Sequence, residues 1–254
     1  MSSPKQVGFI RLKKGSLGDN TFVKSKDGYR VQTKKSISKN RFKNDPKFAR
    51  TRENAEEFGT SAISAKLVRL SVNHLMRSRY DATMFRRLNS LISKLISIDH
   101  ISPRGKAIVR PENTKALLGF EMNSNCSLKS VFNTRFSTSL NRVTGVVGIS
   151  IPSFIPTDRV HGPKGSTHYT IVATASTIDF AKKKYDVDSM DSDKMEISER
   201  LTEPMEIVLS LPPNTPHPVF IFLGLQFTQE IPGSSYAVAK YKMNPLCIVD
   251  VFNE

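Results

Sequence analysis

The second half of the chain alternates short apolar runs with turn residues, which is typical of antiparallel β structure. The runs at 145–151 and 168–178 are rich in β-branched residues and predict interior strands. The acidic stretch 186–206 interrupts this pattern and predicts an exposed polar insertion. The predicted strands cover residues 117–122, 128–133, 136–141, 145–151, 168–178, 205–211, 217–228, 235–241 and 245–252. Many short strands at regular spacing favour an antiparallel β-sandwich, either Ig-like or jelly-roll-like.

Three helices are predicted between the N-terminal region and the strands. Asp45 is an N-cap with Pro46 in the first turn, and this helix is expected to end at Gly59. A second helix begins near Ser61, and a third begins at Asp81. The third has one apolar stripe with helical spacing, formed by Met84, Phe85, Leu88, Leu91, Ile92, Leu95 and Ile96. Arg86 and Arg87 fall off the centre of that stripe and are expected to face solvent or a partner.

The N-terminal region predicts a β-hairpin with a turn at Asp27-Gly28, because that dipeptide readily adopts the positive φ of tight turns. Residues 34–47 are mostly Lys, Ser, Asn and Arg and predict an extended arm or loop. The expected fold class is α+β. A basic hairpin, arm and short helical layer occupy residues 1–110, and the β-sandwich domain occupies 111–254.

Charge divides the chain in the same place. Residues 1–110 contain 25 Lys and Arg against eight Asp and Glu, whereas residues 111–254 contain 13 against 15. The net charge of +15 therefore belongs to the first half, which points to an anionic partner. Cations placed on phosphates release condensed counterions, and interleaved aromatic rings can stack on unpaired bases.

We therefore predict a non-enzymatic protein that binds nucleic acid or another polyanion through the backbone, with little sequence preference. The predicted nucleic-acid-binding residues are Lys13, Lys14, Lys24, Lys26, Arg30, Lys34, Lys35, Lys39, Arg41, Lys43, Lys47, Arg50 and Arg52. Two other interpretations remain open: a basic surface that only solubilises, and pairing with an acidic protein patch. Arg52 also has a second interpretation, an i,i+4 surface pair with Glu56.

A structural role is the main alternative to nucleic-acid binding. A basic arm joined to a β-sandwich is the plan of shell, fibre or filament subunits, in which the arm contacts packaged genome or a neighbouring subunit. Opposite charges on the two halves favour head-to-tail contacts between copies. The partners expected from the sequence are thus nucleic acid or another polyanion, or further copies of the chain in a homo-oligomer or polymer.

The sequence contains no motif that indicates catalysis, a metal or a cofactor. Its five histidines lack metal-ligand spacing, and the 162–167 segment has Lys-Gly-Ser-Thr rather than the Gly-Lys-Ser/Thr of a phosphate loop. Cys126 and Cys247 have no CxxC spacing, and no apolar run is long enough to span a membrane. We expect a cytoplasmic protein with reduced thiols and no cofactor.

Three segments of the chain form a distinctive set. These are the basic hairpin at 15–30, the 45–59 block with its Arg-Thr-Arg-Glu-Asn motif, and the segment Arg142-Val-Thr-Gly145 leading into 149–154, with Thr167-His-Tyr169 beyond it. Together they resemble an uncharacterised protein family of Bacteroidota. The resemblance implies a shared architecture with a basic N-terminal hairpin and a β-rich C-terminal domain. It implies no activity and assigns no residue a role.

Overall fold

The structure is a computed structural model that describes residues 15–25, 28–33, 37–76, 80–232, 234–238 and 243–253. The chain forms two compact units, Met1–Arg52 and Glu53–Glu254. The second unit therefore includes residues 53–110, which the composition grouped with the basic N-terminal region. Residues 53–110 belong with the sheet because their helices share one apolar core with its strands.

The first unit contains a three-stranded antiparallel sheet, formed by β1 (Gly15–Leu17), β2 (Asn20–Ser25) and β3 (Gly28–Thr33). The predicted hairpin is confirmed, since Ser25 pairs with Gly28, whose φ is +115°. The turn residues 26 and 27 lie outside the described residues. Gly18, with φ +55°, provides the turn between β1 and β2. None of the described side chains of this unit is fully buried.

The predicted arm at 34–47 is partly helical. Helix α1 (Lys39–Asn44) begins after Ser38, whose Oγ accepts from the backbone N–H of Arg41 at 3.2 Å. A 3₁₀ turn (Pro46–Phe48) follows, capped by Asp45 as the sequence predicted. The arm prediction failed because it relied on the low apolar content of this segment, whereas an N-cap and packing between Phe42 and Phe48 rings stabilise the helix.

Helix α2 (Ala49–Ser71) runs through Gly59 without ending there. An interior glycine costs about 1 kcal/mol relative to alanine, and burial of side chains in the second half of the helix outweighs that cost. The buried residues of this half are Ser61, Ser64, Ala65, Leu67, Val68 and Ser71. The predicted first and second helices are therefore one helix. It is followed by α3 (Asn73–Met76) and by α4 (Met84–Ser97), in which the predicted apolar stripe is confirmed except that Phe85 is exposed.

The second unit contains two antiparallel sheets. One is built on β6 (His168–Asp179) and β10 (Val219–Ile231), with β7 (Lys184–Asp191), β8 (Met195–Glu196), β11 (Ser234–Ala237) and β12 (Leu246–Phe252). The other contains β4 (Ser137–Asn141), β5 (Val146–Ile151) and β9 (Met205–Ser210). Three short helical segments, a 3₁₀ helix (Pro111–Leu117), α5 (Leu128–Val131) and α6 (Pro156–Arg159), complete the unit. The predicted α+β class with a β-sandwich is confirmed.

Both faces of the larger sheet are buried at its centre, on β6 and β10, which explains the continuous apolar sequence of β10. Phe220 and Phe222 pack with the helices, whereas Ile221 and Leu223 point to the opposite face and pack with β5 and β9. This alternation follows from the two-residue repeat of a strand. The unit is thus three layers: helices, the six-stranded sheet and the three-stranded sheet.

Two strand predictions were wrong, and the acidic insertion contains strands that were not predicted. Residues 128–131 of the predicted strand 128–133 form α5, because Leu128, Val131 and Phe132 are buried with helical spacing and Ser127 caps the turn. Residues 117–122 do not form a regular strand. Their backbone hydrogen-bonds irregularly to β12, and Glu121 forms an isolated β-bridge with Cys247. The acidic insertion at 186–206 contains the exposed strand β7, together with β8.

Candidate polyanion interface

The connection between α1 and α2 in the basic unit is organised around the carboxylate of Asp45. Asp45 Oδ1 accepts from the backbone N–H of Lys47 at 3.0 Å, and Oδ2 accepts from Arg41 Nε at 3.2 Å. The Lys47 amide and then the Arg41 guanidinium hold the pKa of Asp45 below its usual range. The Asp45 carboxylate at the start of the 3₁₀ turn is therefore already hydrogen-bonded to groups of the protein.

Arg52 is a structural residue of this turn. Its Nη1 donates to the carbonyl oxygens of Phe42 at 2.8 Å and Asp45 at 3.1 Å, which lie at the C-terminal end of α1. A cation at a helix C-terminus satisfies carbonyls that have no intrahelical partner. The predicted pair with Glu56 is not formed, because Glu56 instead bonds Lys106 Nζ at 2.9 Å. Arg52 thus fixes α1 against the start of α2.

Arg41 has a mixed role. Besides its ion pair with Asp45, its guanidinium carbon lies 6.0 Å from the centroid of the Phe48 ring, and 61% of the side chain remains exposed. Phe48 also packs against Phe42, with ring centroids 5.6 Å apart. The aromatic rings of this segment therefore stabilise the turn, while part of the Arg41 guanidinium faces solvent.

Four other predicted cations lie around this turn and are exposed. Lys39 and Lys43 are four residues apart on α1 and so share one face, Lys47 lies on the 3₁₀ turn, and Arg50 lies in the first turn of α2. The sequence predicted these residues as phosphate contacts, and in the structure all four are exposed on the segment 39–50. Because these four residues lie on helical elements, their backbones are held in regular, hydrogen-bonded structure.

The remaining predicted cations divide between the sheet and undescribed segments. Arg30 lies exposed on β3, next to the exposed ring of Tyr29. Lys24 lies on β2, where its backbone pairs with Tyr29. Lys13, Lys14, Lys26, Lys34 and Lys35 lie outside the described residues.

A second basic surface lies on the helices of the Glu53–Glu254 unit. The sequence analysis placed Arg86 toward solvent or a partner but did not include this surface among the nucleic-acid-binding residues. Arg86 and Lys94 line a groove of about 380 Å³ along α4. On the neighbouring side of α4, Arg69 lies over the half-exposed ring of Phe85, with its guanidinium carbon 5.0 Å from the ring centroid. The signal was present in the sequence as Lys and Arg at helical spacing along α2 and α4.

Arg87 lines the same groove, but its guanidinium is engaged with other residues of the protein, whereas the sequence placed it toward solvent or a partner. It forms an ion pair with the buried Asp81 at 2.5 Å and donates to the carbonyl oxygen of Glu121 at 2.8 Å. Its charge is needed there because Asp81 is a buried carboxylate. The helical periodicity of the sequence placed Arg87 at the edge of the apolar stripe of α4, but it could not identify Asp81 as the ion-pair partner.

Neither metal nor membrane features appear in the described part of the chain. It contains no group of three or more His, Cys, Asp or Glu side chains arranged to hold a metal ion. The 162–167 segment is a turn leading into β6, with Ser166 N–H donating to the Pro163 carbonyl. No described helix is long and apolar enough to cross a membrane. No family model, curated protein or solved structure matches the chain.

Proposed function

We propose that the protein is a non-enzymatic nucleic-acid-binding protein and that its Met1–Arg52 unit contacts the phosphate backbone. One observation carries the proposal: in a unit with 15 Lys and Arg against three Asp, Lys39, Lys43, Lys47 and Arg50 are exposed on a segment whose own carboxylate, Asp45, is already engaged. When exposed cations of this kind neutralise phosphates, condensed counterions are released from the nucleic acid, and this release favours binding.

Charge density favours a polyanion over a merely solubilising surface. Residues 1–52 have a balance of +12, whereas residues 53–254 hold 23 Lys and Arg against 20 Asp and Glu, a balance of +3 over a chain segment almost four times longer. Solubility requires only a modest net charge of either sign, which would not need to be concentrated in one unit. A concentrated single-sign field raises the rate and affinity of association with an oppositely charged polymer.

The low burial of the unit also fits this role. A small sheet without a buried apolar face is marginally stable on its own in water, and a bound polyanion adds favourable charge pairing. The described residues of the unit include no fully buried side chain. We therefore expect the bound unit to be more ordered than the free unit.

Backbone contacts are expected to dominate over base contacts. Lysine is a flexible point charge that suits phosphate but does not specify bases, whereas sequence readout needs bidentate groups aimed at base edges. Three of the exposed cations around the turn, Lys39, Lys43 and Lys47, are lysines. Exposed Tyr29 on β3 offers a ring for stacking on an unpaired base, so single strands should bind at least as well as duplexes.

The cellular setting of the proposal is the cytoplasm. Cys126 and Cys247 are both buried free thiols, which fits a reducing compartment. Membership in the Bacteroidota family suggested by the N-terminal hairpin and the 45–59 block stays part of this proposal.

The test compares two triple variants that remove the same charge. Lys39→Gln/Lys43→Gln/Lys47→Gln removes cations of the interface, whereas Lys182→Gln/Lys183→Gln/Lys184→Gln removes three exposed lysines of the β6–β7 turn. Binding is measured by fluorescence anisotropy with a labelled oligonucleotide of about 20 nucleotides, a length that spans several phosphate contacts.

We expect the interface variant to lose at least about tenfold in affinity, because three phosphate contacts disappear. The β6–β7 control should lose less than about threefold, since it changes only the long-range field. Equal losses in both variants, or no loss in either, would contradict the proposed interface.

A further inference from the structure

A pocket of about 570 Å³ opens beside β9, lined by the segment that leaves β7 and by the loop that precedes β9. This volume is within the range of sites that accept a ligand or several side chains of a peptide. It lies in the region that the sequence analysis assigned to an exposed acidic insertion. Its hydrogen-bonded walls, its charge and its apolar side chains together determine which ligand it can bind.

The walls are held in place by backbone hydrogen bonds. Thr202 N–H donates to the carbonyl of Phe154 at 2.9 Å, and Phe154 N–H donates back to Thr202 Oγ1 at 3.1 Å. Thr157 N–H donates to the carbonyl of Ser198 at 3.3 Å, and Ile197 N–H donates to Thr167 at 2.8 Å. The loop is therefore fixed on both sides, so the pocket is largely formed before any ligand binds.

Unpaired acidic side chains surround the opening. Five carboxylates line it, namely Asp191, Asp193, Glu196, Glu203 and Glu206, against one cation, Arg200. Within the described residues, none of these five carboxylates forms an ion pair or hydrogen bond through its side chain. By contrast, the nearby Glu230 pairs with Lys194 at 2.5 Å. The pocket therefore presents a net negative charge that no described residue neutralises through an ion pair.

The lining also contains apolar side chains, and we call four of them, Met190, Met195, Leu201 and Met205, the floor of the pocket. Met190 and Leu201 are 49% and 60% exposed, and Met195 and Met205 are partly buried against the sandwich core. Methionine side chains are flexible and polarisable, so they adapt to apolar side chains of varied shape. Exposed apolar side chains in a rimmed concave site are typical of peptide-binding surfaces.

The combination of acidic rim and apolar floor selects a ligand with cations next to apolar side chains. A simple inorganic cation would not use the floor, and an apolar ligand would not use the rim. A peptide that alternates Lys or Arg with large apolar residues uses both, since its stems cover the floor and its charges reach the rim.

One segment of the same sequence has this chemistry. Residues 5–14 read Lys-Gln-Val-Gly-Phe-Ile-Arg-Leu-Lys-Lys, with four cations, four large apolar residues and no acidic residue. We propose that the pocket binds residues 5–14 of a second copy of this chain. Pocket and segment are different surfaces of each copy, so the contact is heterologous and joins copies head to tail. This inference does not depend on the proposed nucleic-acid binding.

The test uses full-length protein freed of nucleic acid by a high-salt wash, and sedimentation equilibrium at low salt over a range of concentrations. The pocket variant is Glu203→Lys/Glu206→Lys, and the segment variant is Lys13→Glu/Lys14→Glu. A matched control, Glu112→Lys/Asp186→Lys, makes the same charge change as the pocket variant at exposed acids outside the pocket. Far-ultraviolet circular dichroism checks that each variant folds.

We expect wild type and control to gain mass with concentration, and each of the other variants to associate at least tenfold more weakly. A mixture of the pocket and segment variants should form dimers, because one supplies an intact segment and the other an intact pocket. Wild type that keeps the mass of one chain at every concentration would overturn the proposal. Association that survives in the pocket variant, or a mixture that fails to associate, would overturn it as well.

Discussion

The carboxylate of Asp99 organises the connector between the helices and the β domain, and its removal gives a sharp stability prediction. Asp99 Oδ1 accepts from the backbone N–H groups of Ile101 at 3.1 Å and Ser102 at 3.2 Å, and from Arg110 Nε at 3.1 Å. Its Oδ2 accepts from the backbone N–H of Ile108 at 3.0 Å. The Asp99 side chain is completely buried, whereas Arg110 is 24% exposed.

Asp99→Ala removes every one of these acceptors at once. A hydrogen bond to a charged group contributes about 1.5–3 kcal/mol, and breaking a buried ion pair costs about 3–5 kcal/mol. The contributions overlap and water will reach Ile101, which is exposed, so we expect a loss of about 3–5 kcal/mol in the free energy of unfolding. Asp99→Asn keeps one acceptor oxygen and should lose less.

Urea denaturation followed by circular dichroism measures this loss, and the midpoint temperature should fall by about 10 °C for a unit of this size. Asp193→Ala is the control, because it makes the same substitution at an exposed position, and it should change stability by less than about 0.5 kcal/mol. A loss below about 1 kcal/mol for Asp99→Ala would refute the idea that this carboxylate holds the connector.

The same carboxylate makes stability depend on pH. Burial on its own would raise the pKa of Asp99, but the N–H groups of Ile108, Ser102 and Ile101 outweigh it and hold the pKa well below its usual range. A lowered folded-state pKa means that the stabilisation is present above about pH 4 and is lost as the pH falls further. Wild type should therefore lose stability on acidification below about pH 4, and Asp99→Asn should show a shallower loss. An identical pH profile for the two would contradict this assignment.

Two further predictions concern the β domain. Gly145→Ala should destabilise the protein by more than about 2 kcal/mol in urea denaturation, because a Cβ at this residue would lie 2.0 Å from the carbonyl oxygen of Leu211. Gly119→Ala has the same φ of +77° but no neighbour within 4 Å, so it should cost only about 1–2 kcal/mol, and equal losses would show that the close contact is unimportant. Burial raises the pKa of Cys126 to about 11 and also raises that of Cys247, so both thiols should react with Ellman's reagent far more slowly in the native state than in urea. Rapid native labelling of both would contradict their burial.

Local patterns predicted the elements whose side chains face a single environment. The stripe on α4 was readable because one face of the helix is buried and the other is not, and β5 was predictable as an interior strand because its sequence is rich in β-branched residues. The hairpin of β2 and β3 was predictable because its turn signal is local. For α4, the helical periodicity of the apolar residues in the sequence agrees with the burial of those residues in the structure.

The failures occurred where tertiary packing overrode a local signal. Gly59 reads as a helix end, but the buried half of α2 beyond it keeps the helix continuous. The exposed strand β7 is acidic along much of its length, and only its pairing with β6 makes it a strand. Residues 128–133 were taken for a strand because a short apolar run does not distinguish strand from helix by itself.

The candidate interface was predictable as a composition but not as a geometry. Charge counting identified Lys39, Lys43 and Lys47 as a group, and the structure shows them exposed around one turn. Charge counting could not distinguish these lysines from Arg52, whose guanidinium binds main-chain carbonyls. That distinction depends on where α1 ends relative to α2, which only the folded chain defines.

The salt dependence of nucleic-acid binding tests the central claim most directly. The affinity of wild type for a labelled single strand is measured between about 50 and 300 mM salt, and the logarithm of the association constant is plotted against the logarithm of the salt concentration. If about four of the exposed cations of the Met1–Arg52 unit contact phosphates, the slope should be about −3. A slope near zero, or no measurable binding at low salt, would contradict a phosphate-binding function for this unit.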